Sequence, residues 1–144
     1  MAKGPRKADA PANRLDVWTD ASTAAQHEGI GIYVPSTNIK MAEGLVRGAA
    51  MAKANSPVNW AELSAVKRAL QEFGPDYWLR IYSDSQWATN MAMGKWKPKK
   101  YKALVLEVRK LVLKHDAIVV WRRRELNAFA DGLATWASGY RESV

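Results

Sequence analysis

The sequence predicts an α/β domain in which helices cover a sheet of mixed strand direction, and two observations carry this. Three strand-like segments come in direct succession, Leu15 to Thr19, Gly29 to Val34 and Lys40 to Val46. Beyond them, segments of helical and strand character alternate as far as Ser138. A meander followed by helix and strand in turn builds one sheet with helices on its faces. No solenoid-type repeat is visible.

Residues 1–13, rich in Ala, Lys and Pro and without apolar period, read as a disordered basic tail, and the domain as residues 14–140. Leu15 to Thr19 alternates, and Pro35, Ser36, Thr37 and Asn38 form the turn before the third strand. Ser56 offers an N-cap and Pro57 a first helical residue. Leu63, Val66, Leu70 and Phe73 then recur at helical spacing until Gly74 and Pro75 stop the helix. Trp78 to Ser83 is a strand, and Ser85 to Met93 a short helix broken at Gly94. Tyr101, Leu104, Val105, Val108, Leu111 and Val112 make an apolar stripe, with Lys102, Arg109, Lys110 and Lys114 opposite. Ala117 to Trp121 is the last strand and Asn127 to Ser138 the last helix. Trp18, Trp78 and Trp136 are assigned to the core, whereas Trp60, Trp87 and Trp96 are kept as contact residues.

A chain of 144 residues, 48% hydrophobic and 25% charged, fits a single globular domain. No apolar run approaches the ~20 residues of a membrane span, and the N-terminus lacks the apolar stretch of a secretory signal. A soluble, cytoplasmic monomer without membrane contact is expected. There are no cysteines and two histidines, His27 and His115, so thiolate chemistry is excluded and any metal is held by oxygen. Net charge is +8. The stretch Lys95 to Lys102 holds five lysines, and Arg122, Arg123 and Arg124 are contiguous. Such clusters bind phosphates by releasing counterions, or else are solvated faces. Trp96, between Lys95 and Lys97, favours the first reading because an aromatic among cations stacks on bases or sugars.

Against this basic background stand four acids at or beside apolar segments: Asp20, Glu62, Asp84 and Asp131. Residues 17–22 and 81–86 share the order aliphatic, aromatic, hydroxyl, Asp, small, polar. On parallel neighbouring strands, Asp20 and Asp84 project to one face at one end. Glu62 shares a helical face with Val66, Ala69 and Phe73, and Asp131 one with Asn127, Ala130 and Ala134. Two carboxylates about 4 Å apart repel by ~4 kcal/mol at the dielectric near a protein surface. Singly, each acid has an ordinary reading as a cap, a first-turn acid or an ion-pair partner. Together they point to a hard divalent cation such as magnesium.

With these motifs in this order, Thr-Asp-x-Ser, x-Glu-Leu, Asp-Ser-Gln and Arg-Glu-Leu-Asn-x-x-Ala-Asp-x-Leu-Ala, the chain resembles ribonuclease H of type 1 from Leu15 to Trp136. The resemblance implies a five-stranded mixed sheet with an antiparallel second strand, flanked by helices on both faces. It makes Asp20, Glu62, Asp84 and Asp131 the catalytic acids, holding two magnesium ions, with manganese as the alternative. The implied reaction is cleavage of the RNA strand of RNA/DNA hybrids, leaving 5'-phosphate and 3'-hydroxyl ends. Asn59 and Gln86 correspond to groups in the hybrid minor groove, where 2'-hydroxyls mark RNA. Ser22 and Asn127, beside the acids, contact the scissile region or cap a turn and a helix. With Trp96, Lys97, Lys99, Lys100 and Arg124 they complete the expected substrate-binding set.

The sequence lacks the glycine-rich loop after the first acid, the long basic protrusion and the histidine loop before the last acid. It is similar to the branch without protrusion and histidine loop, in which Arg124, or else Arg122 or Arg123, assists at the phosphate or in product release. Two alternatives stay open: another nuclease or resolvase of the same fold, and a non-catalytic nucleic-acid-binding module. Ser22 stands where exonucleases carry a second strand acid, which counts against that class.

Overall fold

The computed structural model describes residues 13–23, 27–46 and 57–139. All but the last residue of the expected tail 1–13, the expected N-cap Ser56 and residue 140 lie outside that range. The described elements are β1 (Leu15–Thr23), β2 (His27–Val34), β3 (Ile39–Val46), α1 (Pro57–Phe73), β4 (Leu79–Ser83), α2 (Gln86–Ala92), α3 (Lys102–His115), β5 (Ile118–Trp121), a 3-10 turn (Arg124–Leu126) and α4 (Ala128–Ala137). The strands form one sheet in the order β3-β2-β1-β4-β5. β2 is antiparallel to β1 and β3, whereas β1, β4 and β5 run parallel. The mixed five-stranded sheet implied by the resemblance is the one observed.

α1 lies on one face, against β1, β2 and β4, and α2 and α3 pack against it. Its helical repeat places Leu63, Val66, Leu70 and Phe73 in a core shared with Val17, Ile32, Ile81, Val105 and Val108. Burying a side chain of this size contributes ~1.5–3 kcal/mol, so the apolar stripes of α1 and α3 hold this layer together. α4 covers the other face over β1, β2 and β3, and turns Ala130 and Ala134 toward the sheet.

Three expectations are corrected. β1 runs past Thr19 to Thr23 because residues 20–23 pair with Glu28 to Gly31 of β2. Asp20 is therefore inside a strand and not at its end. Trp136 is 58% exposed, since the side of α4 facing the sheet is occupied by alanines. Arg109 does not share the solvent face of α3: it is half-buried and donates to the carbonyls of Met91 and Trp96. Trp78 precedes β4, half-buried, and its carbonyl accepts from the Leu15 amide at 2.7 Å. Trp18 is half-buried and stacks on Tyr82 with centroids 4.4 Å apart.

Candidate metal centre and nucleic-acid interface

The β1–β4 ladder pairs Trp18 with Tyr82, and β4 ends at Ser83. Carrying the register forward two residues sets Asp20 opposite Asp84, just where β4 leaves the sheet. A hydroxyl precedes each acid and does the local work. Thr19 Oγ1 donates to the Tyr82 carbonyl at 3.0 Å, tying β1 to β4 beyond their last paired residues. The Thr19 carbonyl accepts from Asn127 Nδ2 at 2.8 Å, which draws the start of α4 to the same point. On the other side, Ser83 Oγ accepts from the Ser85 amide at 3.1 Å, and Ser85 Oγ caps α2 through the Ala88 amide at 3.0 Å. Trp121 Nε1 donates to the Asp84 carbonyl at 3.0 Å. Asp84 is thus fixed by its backbone, and its carboxylate is left to one exposed arginine, Arg124.

Glu62 comes from the buried face of α1. One carboxylate oxygen from each of Asp20, Glu62 and Asp84 lies within 4.8 Å of the others, while Asp20 is 1% and Glu62 6% exposed. Asp131, in the first turn of α4 and half-buried, is outside this tight triple but lies close enough to Asp20 to push its pKa up. Both oxygens of Asp20 and Oε2 of Glu62 are buried with no hydrogen-bond partner among the described residues. Burial first, and the charge of Asp84 second, raise Asp20 from 3.8 to about 8. Burial and the neighbouring Asp20 and Asp84 charges likewise hold Glu62 well above its ordinary range.

Unpartnered buried oxygens cost free energy unless something takes them up, and an all-oxygen donor set fits a hard divalent cation. A pH dependence follows. Without divalent ions, folded Asp20 keeps a proton that the unfolded chain releases above about pH 4. Its contribution is whole below that pH and is lost as pH rises toward about 8, at up to ~1.4 kcal/mol per pH unit. Melting in chelator should therefore fall from mildly acidic to mildly alkaline pH. Magnesium at ~100 times its dissociation constant should restore ~2.7 kcal/mol, most at the alkaline end. Asp20→Asn should flatten the chelator profile, and a melting temperature that climbs with pH there would contradict the account.

Six of the nine expected substrate residues line two depressions. One, of about 480 Å³, is lined by Asn59, Glu62, Asp84, Trp121, Arg123 and Arg124 among others. Arg124 Nε stands 3.6 Å from Asp84 Oδ2 with its side chain 78% exposed, so the pair is weak and the guanidinium is free to move. The other, of about 630 Å³, holds Asn59, Trp87, Trp96, Lys97, Lys99 and Lys100. Asn59 belongs to both. Trp96 is 47% exposed, and Lys97, Lys99, Lys100 and Gln86 are exposed as well. Ser22 is half-buried opposite Gly29, two residues past Asp20. The Asn127 side chain does not cap α4; it straps β1, with Oδ1 buried and unpartnered. Thr19 went unnoticed in the sequence as a knot between β1, β4 and α4, although the shared hydroxyl before each aspartate was its signal.

Residues 36–137 match the family model described as reverse transcriptase-like. No curated protein is matched at the level of sequence. Among solved structures, the chain is similar to LC11-RNase H1, isolated from compost by a metagenomic approach and determined in complex with RNA/DNA hybrid. In that complex the identity is 20%, the TM-score 0.73, and the match covers 88% of this chain and 98% of that one. RNase H1 of the halophilic archaeon Halobacterium salinarum matches at 18% identity and TM-score 0.63, over 90% of this chain and 100% of its own. The foamy viral protease-reverse transcriptase bound to RNA/DNA hybrid matches at 19% identity and TM-score 0.67, over 98% of this chain and 22% of that protein. The resemblance read from the motifs is thus borne out in the fold: this chain, with its sheet order and its strands in register, belongs to the reverse transcriptase-like family and carries the ribonuclease H fold.

Proposed function

We propose that the protein is a metal-dependent ribonuclease H, a cytoplasmic monomer that hydrolyses the RNA strand of RNA/DNA hybrids and leaves 5'-phosphate and 3'-hydroxyl ends. The observation that carries the proposal is the convergence of Asp20, Glu62 and Asp84 within 4.8 Å, with buried oxygens that no described residue hydrogen-bonds. Asp20, Glu62, Asp84 and Asp131 would hold two magnesium or manganese ions, which supply Lewis-acid activation of water and stabilise charge on the attacking and leaving oxygens.

The chain's own residues supply binding and orientation. Arg124, exposed at the rim beside Asp84, would meet the scissile phosphate there. Asn59, shared by both depressions, and Gln86, exposed at the start of α2, face the minor groove, where the 2'-hydroxyl distinguishes RNA. Lys97, Lys99 and Lys100 hold phosphates away from the cut, and Trp96 stacks on the sugar or base they bring in. Buried acids next to an exposed basic rim suit an anionic polymer whose reacting phosphate enters the acid pocket while its neighbours stay on the lysines.

The deciding assay offers labelled RNA/DNA hybrid, single-stranded RNA, duplex RNA and duplex DNA, with magnesium, manganese or chelator. Cutting confined to the RNA strand of the hybrid, and abolished by chelator, is expected. Cutting of duplex DNA or branched DNA transfers the chain to another nuclease or resolvase. Tight hybrid binding without any cutting makes it a non-catalytic module.

A further inference from the structure

The basic loop between α2 and α3 has no regular structure of its own, yet it carries the lysines and the tryptophan that the proposed function assigns to the duplex. What fixes its path is a cation that never reaches the depression it shapes. Arg109, half-buried on α3, donates through Nε to the Met91 carbonyl at 2.7 Å and through a terminal nitrogen to the Trp96 carbonyl at 2.5 Å, with the Met91 sulfur 4.0 Å away. Met91 lies in the last turn of α2, where its carbonyl also accepts from the Gly94 amide at 3.2 Å, and Trp96 is two residues past the left-handed turn at Gly94, whose φ is 73°. One planar guanidinium thus joins the end of α2 to the loop while anchored on α3, which a lysine cannot do because it has no rigid fork. The far end is held separately. Tyr101 enters α3 at a φ of 53°, and its ring meets Trp87 edge-on at 6.1 Å.

We infer that Arg109 is a positioning residue for duplex binding: it clamps the Met91 and Trp96 carbonyls so that Trp96 and Lys97 to Lys100 stand in the register a nucleic-acid backbone requires. The inference rests on the proposed function for its substrate, and on the geometry alone for the clamp. Its charge is spent on internal carbonyls and not on phosphate, so its loss acts through the loop.

The test compares wild type, Arg109→Gln and Arg109→Lys by steady-state kinetics on RNA/DNA hybrid and by amide hydrogen exchange of the substrate-free protein. Arg109→Gln should raise KM about tenfold and leave kcat within about twofold, because binding is lost and not transition-state stabilisation. Exchange should quicken at Gly94 and Lys95, whose amides bond to Met91 and Asn90 carbonyls at 3.2 and 2.9 Å, while α1 stays protected. Arg109→Lys should fall between the two and remains informative should the glutamine variant not fold. In a background with Trp96, Lys97, Lys99 and Lys100 all changed to Ala, Arg109→Gln should raise KM no further. An unchanged KM with unchanged exchange overturns the clamp, and so does a full tenfold penalty persisting in the alanine background, since Arg109 would then act on the substrate itself. If wild type does not cut hybrid, the proposed function fails, and the exchange result decides the clamp alone.

Discussion

Asp84→Asn should lower hybrid hydrolysis by about three orders of magnitude, at the upper end of what removal of one electrostatic group costs an active site, while leaving the protein folded and able to bind hybrid in calcium. The substitution keeps the shape of the side chain and removes only its charge. The backbone at that position stays anchored, because its carbonyl is held by Trp121 Nε1 and the turn beyond by Ser83 and Ser85. The broken ion pair with Arg124 is mostly exposed and contributes at most ~1 kcal/mol. Meanwhile Asp20 loses the neighbouring charge that helps to raise it, so the metal-free variant should melt at or above wild type. Loss of activity with retained or increased stability is the signature of a group strained for function. Residual cleavage within tenfold of wild type would remove Asp84 from the proposed machinery. Lost hybrid binding in calcium would mean that its role is structural.

The parts of this site that a reader of the sequence finds are those that periodicity fixes. Strand alternation and the repeated aliphatic-aromatic-hydroxyl-Asp order set Asp20 and Asp84 on neighbouring strands, and helical spacing turns Glu62 inward with Val66 and Phe73. These rules are local, and the parallel β1–β4 register then makes them converge. Periodicity is silent where one residue reaches across elements. Nothing in the spacing of α3 distinguishes Arg109 from Lys110, yet one is half-buried against two carbonyls and the other exposed. Trp136 stands outside the core for the converse reason: size and hydrophobicity predict burial, but α4 lies so close to the sheet that alanines fill its inner face. β1 outlasts its predicted end because its pairing with β2 continues through Thr23, a contact between strands that the local alternation of β1 does not encode.

Gly31→Ala should be strongly damaging for a single added methyl group, with a cost of ~3 kcal/mol and a fall in melting temperature of roughly 10 °C for a chain of this size. Gly31 pairs with Asp20 on β1 and with Ala42 on β3, in the middle of the sheet under α4. A Cβ there would meet the Ala130 carbonyl oxygen at 2.2 Å and the Ala134 amide nitrogen at 2.7 Å. Both are backbone atoms of α4, so no rotamer change relieves the clash and the helix must lift. Ala130 immediately precedes Asp131, and lifting the helix carries that carboxylate away from Asp20. Activity should therefore drop at temperatures where the variant is still folded, with kcat affected more than KM because the lysine loop on the other side of the sheet is untouched. Gly132→Ala is the matched control. It lies in α4 with nothing within 4 Å of where a Cβ would stand, and replacing a helical glycine by alanine gains ~0.5–1 kcal/mol. Two glycine-to-alanine changes within reach of one helix should thus shift stability in opposite directions, and melts of the pair measure the difference. Equal effects would mean that α4 does not rest on β2 as described, and with it would go the route by which Asp131 reaches Asp20.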